Sequence, residues 1–202
     1  LSEERMAPFF ELMMESGITA IFDAFIENDR QIQTVYEMDR AGKLFVYYDA
    51  SVRFWRYEDL PEKIDKLREY QRLYTTEHIK FNTMKLFLDG TNESGNSASL
   101  HEHIHDSGNY GEIMMEKDEL VRCFLLCNRE GLDLHIHMVG DRAFKVGCDV
   151  VEEAQITAAE NGEPWSCRPV FSHCELVDTS AMHRHAKLGI FINWSSHWSG
   201  GY

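Results

Sequence analysis

Two hundred and two residues with 44% apolar and 12% aromatic content can bury one core, and no low-complexity tract or flexible linker divides them. Twenty Lys and Arg against 34 Asp and Glu leave a formal charge of −14, which argues against nucleic acid or an anionic membrane as partner. No apolar run is long enough to span a bilayer and no signal peptide opens the chain, so a soluble cytoplasmic protein is expected, with a homo-oligomer allowed.

In chain order, one pattern returns: an amphipathic helix, a glycine, then a short apolar strand. Met6, Phe9, Phe10 and Met13 make a helical face, Gly17 ends it, and ITAIFDA (residues 18–24) follows as a strand. Ile32, Val35 and Tyr36 lead through Gly42 to LFVYYDA (residues 44–50). Pro61 opens a third helix carrying Ile64, Leu67 and Leu73, which reaches the strand MKLFLDG (residues 84–90). Leu120, Phe124 and Cys127 lead through Gly131 to LDLHIHM (residues 132–138). A helix after Asp141, with Ala143, Phe144, Val146, Val150 and Val151 on its face, reaches RPVFSH (residues 168–173), and residues 182–188 lead through Gly189 to IFINWS (residues 190–195).

Six alternating units argue for an α/β fold with a parallel sheet and right-handed crossovers, either doubly wound or closed as a barrel. Three of the strands carry Lys85, His137 and His173, and two more end in Asp-Ala at Asp23 and Asp49. Polar residues from several strands converge at the shared mouth of a barrel, whereas a doubly wound sheet concentrates them at one switch point beside a glycine-rich loop that is missing here. The barrel is therefore favoured. A complete eightfold barrel needs roughly 200–250 residues, and six units use up this chain. It also lacks an initiating Met, so the middle of a longer protein is expected, with one strand before Leu1 and another after Tyr202.

On MKLFLDG, Lys85, Phe87 and Asp89 share a face, while Met84, Leu86 and Leu88 pack on helices. Lys85 then points into a barrel interior, where lost solvation lowers its pKa and leaves a neutral amine able to take up carbon dioxide. The plainer alternative is a lysine that reaches the rim or pairs with an acid. His137 and His173, at the ends of consecutive strands, offer neutral imidazoles suited to zinc or another divalent ion, although a lone histidine there is more often a hydrogen-bonded core residue. His135 shares the His137 face one layer deeper and reads as barrel filling or as support for the ligands. Asp141 reads as a helix cap, or more sharply as a residue orienting a ligand; Asp89 with Gly90 shapes a turn.

Other signals are weaker. His101, His103 and His105 form HEHIH within a Gly, Asn and Ser-rich stretch (residues 90–111), which reads as a surface or substrate loop and not as a structural metal site. Trp194, His197 and Trp198 are candidates for a substrate pocket, or for plain aromatic packing at a rim. His78, His183 and His185 read as exposed helix residues. Five cysteines (Cys123, Cys127, Cys148, Cys167, Cys174), odd in number and without a CxxC pair, fit reduced buried thiols; Cys123 and Cys127, four apart on a helix, read as core filler.

SGITAIFDA, MKLFLDGT, the GNYGEI to DELV passage, EGLDLHIHMVGDRA and VFSHCELVD together give a resemblance to the amidohydrolase superfamily, type 3 branch, which includes N-substituted formamide deformylases and exoenzyme regulators. The resemblance implies a partial (β/α)8 TIM barrel, about strands 2 to 7, forming one domain over residues 1–202 with residues 90–111 as an active-site insertion. It implies Lys85, His137 and His173 as metal ligands, one or two divalent ions with zinc foremost, and a Lys85 that is often carbamylated in the family. The His-x-His pair of the first strand and the catalytic aspartate of the last have no match, so no catalytic acid/base is expected within this chain, and one is expected beyond Tyr202. The family has Glu where this chain has Ser172, which on strand alternation should point away from the mouth. The implied function is hydrolysis of an amide or other C–N bond in a small molecule by a metal-activated water. The alternatives are a non-catalytic regulator or metal-binding protein on the same fold, or a barrel hydrolase of phosphoesters.

Overall fold

The computed structural model describes residues 2–198. Helices and strands alternate in the order α1 (Glu3–Glu15), β1 (Ala20–Asp23), α2 (Asp29–Arg40), β2 (Tyr47–Arg53), α3 (Leu60–Tyr74), β3 (Ile79–Phe87), α4 (Lys117–Arg129), β4 (Asp133–Met138), α5 (Asp141–Glu160), β5 (Pro169–His173), α6 (Arg184–Lys187) and β6 (Phe191–Trp194). Strand order follows chain order. This is the α/β alternation read from the sequence, with sequential strands as neighbours and no reversal of order.

Two compact units divide the chain: residues 1–53 with 61–83, and residues 54–60 with 84–202. In the first, β1 and β2 pair in parallel, with Asp23 opposite Ala50. Ile32, Val35 and Met38 bury one face of α2, and Asn28 caps that helix by accepting the Gln31 amide at 3.1 Å. Asp23, at the end of β1, accepts from Gln31 Nε2 at 2.6 Å and from the Tyr48 hydroxyl. Asp49 is not at a strand end. Strand β2 starts three residues later than the sequence pattern suggests and runs on to Arg53, because Ala50 and Val52 continue the buried alternation. Similarly, β3 begins at Ile79, where Ile79 and Phe81 are buried and Lys80 and Asn82 exposed. His78 is not a helix residue: it lies half-buried between α3 and β3, with Nδ1 2.7 Å from Asp39 Oδ1.

In the second unit β4 pairs with β5 and β5 with β6, all parallel. Leu134, Ile136 and Met138 form the greasy row of β4, and α5 buries Phe144, Val150 and Val151, with Phe144 meeting Phe171 of β5 edge-on. A Cβ at Gly147 would stand 2.9 Å from both Met138 Cε and Phe171 Cζ, so this glycine sets how closely α5 approaches the sheet. Asn128, at the end of α4, accepts from the amides of Ser166 (2.7 Å) and Cys167 (3.1 Å) and donates to Pro164 O at 3.1 Å, tying the segment before β5 to the helix. All five cysteines are free and buried, Cys123 and Cys127 in the apolar face of α4, as core filler should be. The glycines expected to end helices, Gly17, Gly42, Gly131 and Gly189, all take φ between 66° and 74° or, at Gly131, 65°. No described helix is long and apolar enough to cross a membrane.

Candidate functional site

Lys85 and Phe87 occupy one face of β3, and Lys85 is only 2% exposed. Its Nζ lies 4.8 Å from the centre of the Phe87 ring. Burial alone pushes the ammonium pKa down to about 7, so near neutrality the amine is substantially uncharged. A lysine reaching the rim is excluded by that burial, and among the described residues no carboxylate is within ion-pair distance of it.

His137 ends the polar face of β4. Its Nε2 lies 3.0 Å from the Gly90 carbonyl. A carbonyl only accepts, so Nε2 carries the proton and Nδ1 keeps the lone pair that a metal would use. A Cβ at Gly90 would fall 1.9 Å from Asn96 Oδ1, which explains why glycine presents that carbonyl. Burial, opposed by the Gly90 hydrogen bond, takes the His137 pKa down to about 4.

His173 reaches the same place by a different route. In the β4–β5 register His137 stands opposite Ser172, and Met138 opposite His173. Ser172 therefore lies on the His137 face, bonded to Asn193 Nδ2 at 3.2 Å, and does not point away as alternation from an inward His173 had suggested. His173 sits in the helix-facing row, but its φ of 78°, followed by 47° at Cys174, turns the backbone left-handed and swings the ring back. The result is an edge contact with His137, ring centres 4.5 Å apart. His173 Nδ1 is engaged by Ser195 Oγ at 2.9 Å, which leaves Nε2 as the free nitrogen. Burial, then the charges of His137 and Lys85, lower its pKa to about 4.

Asp89 has a larger role than a turn residue. Its buried carboxylate accepts the amides of Val139 (2.9 Å), Gly140 (2.8 Å) and Ala98 (3.0 Å), and lies 4.0 Å from His137 Nε2. Asp141 does not cap α5; Gly140 holds the cap position, and the Asp141 carboxylate accepts the Leu100 amide at 2.8 Å. Arg142 Nη2 donates to the carbonyls of Tyr110 (2.9 Å) and Gly111 (2.8 Å). The GDR motif after His137 is thus a clamp on residues 90–111. Within that loop His101 and His105 are exposed and His103 Nε2 bonds Ser97 O at 2.9 Å.

The three aromatic candidates separate. Trp198 stacks on the His173 ring at 4.4 Å, with His197 5.6 Å from Trp198. Trp194, 58% exposed, lies in the helix-facing row and lines a cavity of about 390 Å³ with Phe144, Met182 and Ile192. Trp55 was missed in the sequence. It stacks on Phe87 at 5.6 Å, and Phe87 is 4.9 Å from His137. No sequence signal marked it, because β2 was read as ending at Ala50.

His135 is buried one layer below His137, as expected, and burial with the charges of Lys85, His173 and His137 lowers its pKa to about 2. Three imidazoles with folded pKa values below 6.5 give stability that is complete above that pH and lost as pH falls toward about 4. Burial raises Asp89 to about 6, which opposes the trend for one group. Lys85 acts in the same direction as the histidines between pH 10.5 and about 7. Thermal unfolding of chelator-treated protein should therefore show a melting temperature that rises from pH 5 to pH 8. His137 by itself contributes on the order of 3 kcal/mol across its range. A melting temperature that falls over this interval would contradict the buried, neutral imidazoles.

Among the described residues, no three His, Cys, Asp or Glu side chains could hold a metal by themselves. A site here needs Lys85 beside the two histidines, and the donors fit: two neutral imidazoles in contact and an amine that burial keeps from holding its charge. The expected catalytic acid/base, beyond Tyr202, lies outside the described residues.

Strands in chain order, with histidines from two neighbouring strand ends in contact and a buried lysine among the charges acting on them, define an α/β protein with its candidate site at the ends of its parallel strands. The amidohydrolase family profile matches residues 3–200, and the chain belongs to that family. It is 22% identical over 201 residues to the exoenzymes regulatory protein AepA of Pectobacterium carotovorum subsp. carotovorum, covering 98% of this chain and 42% of that protein. An uncharacterized metal-dependent hydrolase from Pyrococcus furiosus is similar in structure, with a TM-score of 0.71 at 22% identity over 95% of this chain and 38% of that one. One from Pyrococcus horikoshii OT3 gives 0.68 at 24% identity, over 95% and 37%. At these identities the structural likeness shows the fold. The chain spans less than half the length of each of these proteins.

Proposed function

We propose that this chain carries part of the metal-holding side of a hydrolase that cleaves an amide or other C–N bond in a small molecule. The six strands would be the second to seventh of an eight-stranded barrel; the barrel part of this reading is supported by a strand order that follows chain order. The observation that carries the functional reading is the contact of His137 and His173 beside Lys85.

His137 would bind a divalent ion, zinc foremost, through Nδ1 and His173 through Nε2. When bound, the ion supplies Lewis acidity, lowering the pKa of a coordinated water and polarising a carbonyl. Lys85, as the neutral amine, would attack carbon dioxide; the N–C bond forms, a proton leaves to water, and the carbamate gives an anionic oxygen donor. Gly90 O holds the His137 tautomer through this cycle, and Asp89 holds Gly140 and Ala98 in place above it.

Metal analysis of the full-length protein, followed by assay on N-acyl and N-formyl amines against phosphotriesters, tests the proposal. Bound metal, turnover of the amides and loss of both in Lys85→Ala are expected. Phosphotriester turnover in place of amide turnover would reassign the bond cleaved. Metal bound without hydrolysis, unchanged by Lys85→Ala, would leave a non-catalytic role.

A further inference from the structure

The rings around the histidine pair form a continuous series. Trp55 meets Phe87 at 5.6 Å with planes 24° apart, Phe87 meets His137 at 4.9 Å, His137 meets His173 at 4.5 Å, and Trp198 stacks on His173 at 4.4 Å. Single exposed tryptophans are ordinary, but this one, 54% exposed, is continuous with the side chains assigned to the metal. Its position is also built. The amide of Phe54 donates to Lys85 O at 3.0 Å, which pins the segment carrying Trp55 to the strand carrying Lys85 and Phe87.

We propose that Trp55 and Phe87 form an aryl-binding face beside the metal-holding residues, so that the substrate bears a planar apolar ring near its scissile bond. The proposal rests on the hydrolase reading and narrows it to a substrate class. A pair of near-parallel rings offers a flat apolar surface on which another ring can stack or lie edge-on. Phe87 joins the face directly to His137, which places a ring bound there next to the reacting group.

The test uses two probes on the full-length protein, N-(2-phenylethyl)acetamide and N-acetylglycine, with binding read by titration calorimetry so that turnover is not needed. Wild type should bind the phenyl probe at least about tenfold more tightly than N-acetylglycine, and Trp55→Ala should remove about tenfold of phenyl-probe affinity while leaving N-acetylglycine within about twofold. Trp55→Phe should retain most of the preference and guards against a folding defect, which circular dichroism reads separately. Equal losses for both probes, no loss for either, or a wild type that does not prefer the phenyl probe would overturn the aryl face. Trp55-dependent binding with no turnover of any amide would uphold the face and defeat the hydrolase reading instead.

Discussion

Replacing His137 with alanine in the full-length protein is expected to lower metal affinity by more than about 100-fold and to remove turnover with it, since even residues supporting a ligand cost 10–100-fold. The expectation comes from geometry that gives the ring one task. Its Nε2 is committed to Gly90 O at 3.0 Å, and burial keeps it neutral at physiological pH. The contrasting change is the triple replacement of His101, His103 and His105 by alanine. These belong to the histidine-rich loop, and His103 is already engaged with Ser97 O. Metal content should stay within about twofold of wild type there, as exposed side chains such as His101 and His105 seldom carry more than about 0.5 kcal/mol. Metal analysis after dialysis reads both. Retention of metal by His137→Ala, or its loss in the triple variant, would move the site from the strand ends to the loop.

Gly140→Ala should be among the most damaging small substitutions near the site. A Cβ there would stand 1.9 Å from Ala98 O and 2.9 Å from Ala98 N, both backbone atoms that no rotamer change can move away. The Gly140 amide also donates to Asp89 at 2.8 Å, so relief by backbone shift pulls on the carboxylate that holds Val139 and Ala98. A loss of about 3 kcal/mol is expected from this forced overpacking. Residues 90–111 should at the same time become open to protease. Gly108→Ala, in the same loop at φ 84° with nothing within 4 Å, should cost only about 1 kcal/mol of backbone strain. Denaturant unfolding with limited proteolysis separates the two. If Gly140→Ala were as mild as Gly108→Ala, the loop would not be clamped as described.

Periodicity made much of this molecule legible. Leu134, Ile136 and Met138 alternating with His135 and His137 identify β4, its buried row and its polar row, because side chains on a strand have no other choice of face. The same rule assigned Lys85 and Phe87 to one side of β3. It failed at His173. An ideal strand with this register puts Ser172 on the His137 face, where it lies, and the His173 ring among the helices; only the left-handed backbone at residues 173 and 174 turns that ring back. Alternation is a property of extended backbone, and no pattern of residue types announces where a non-glycine residue leaves it.

Sequence by itself determined the alternation of helices and strands, the glycines that end the helices, the buried thiols, and the identity of Lys85, His137 and His173 as the residues to watch. Those features are local: each depends on a residue and its neighbours within a turn or a strand. Tertiary structure decided what the GDR motif is for, which nitrogen of His137 is free, that Trp198 stacks on His173 while Trp194 lines a cavity with Phe144, and that Trp55 belongs beside Phe87. Each of these joins segments distant in the chain, as Gly90 to His137 and Trp55 to Phe87 do. Contacts between such segments follow from packing and not from local preference, and so leave no periodic trace along the chain.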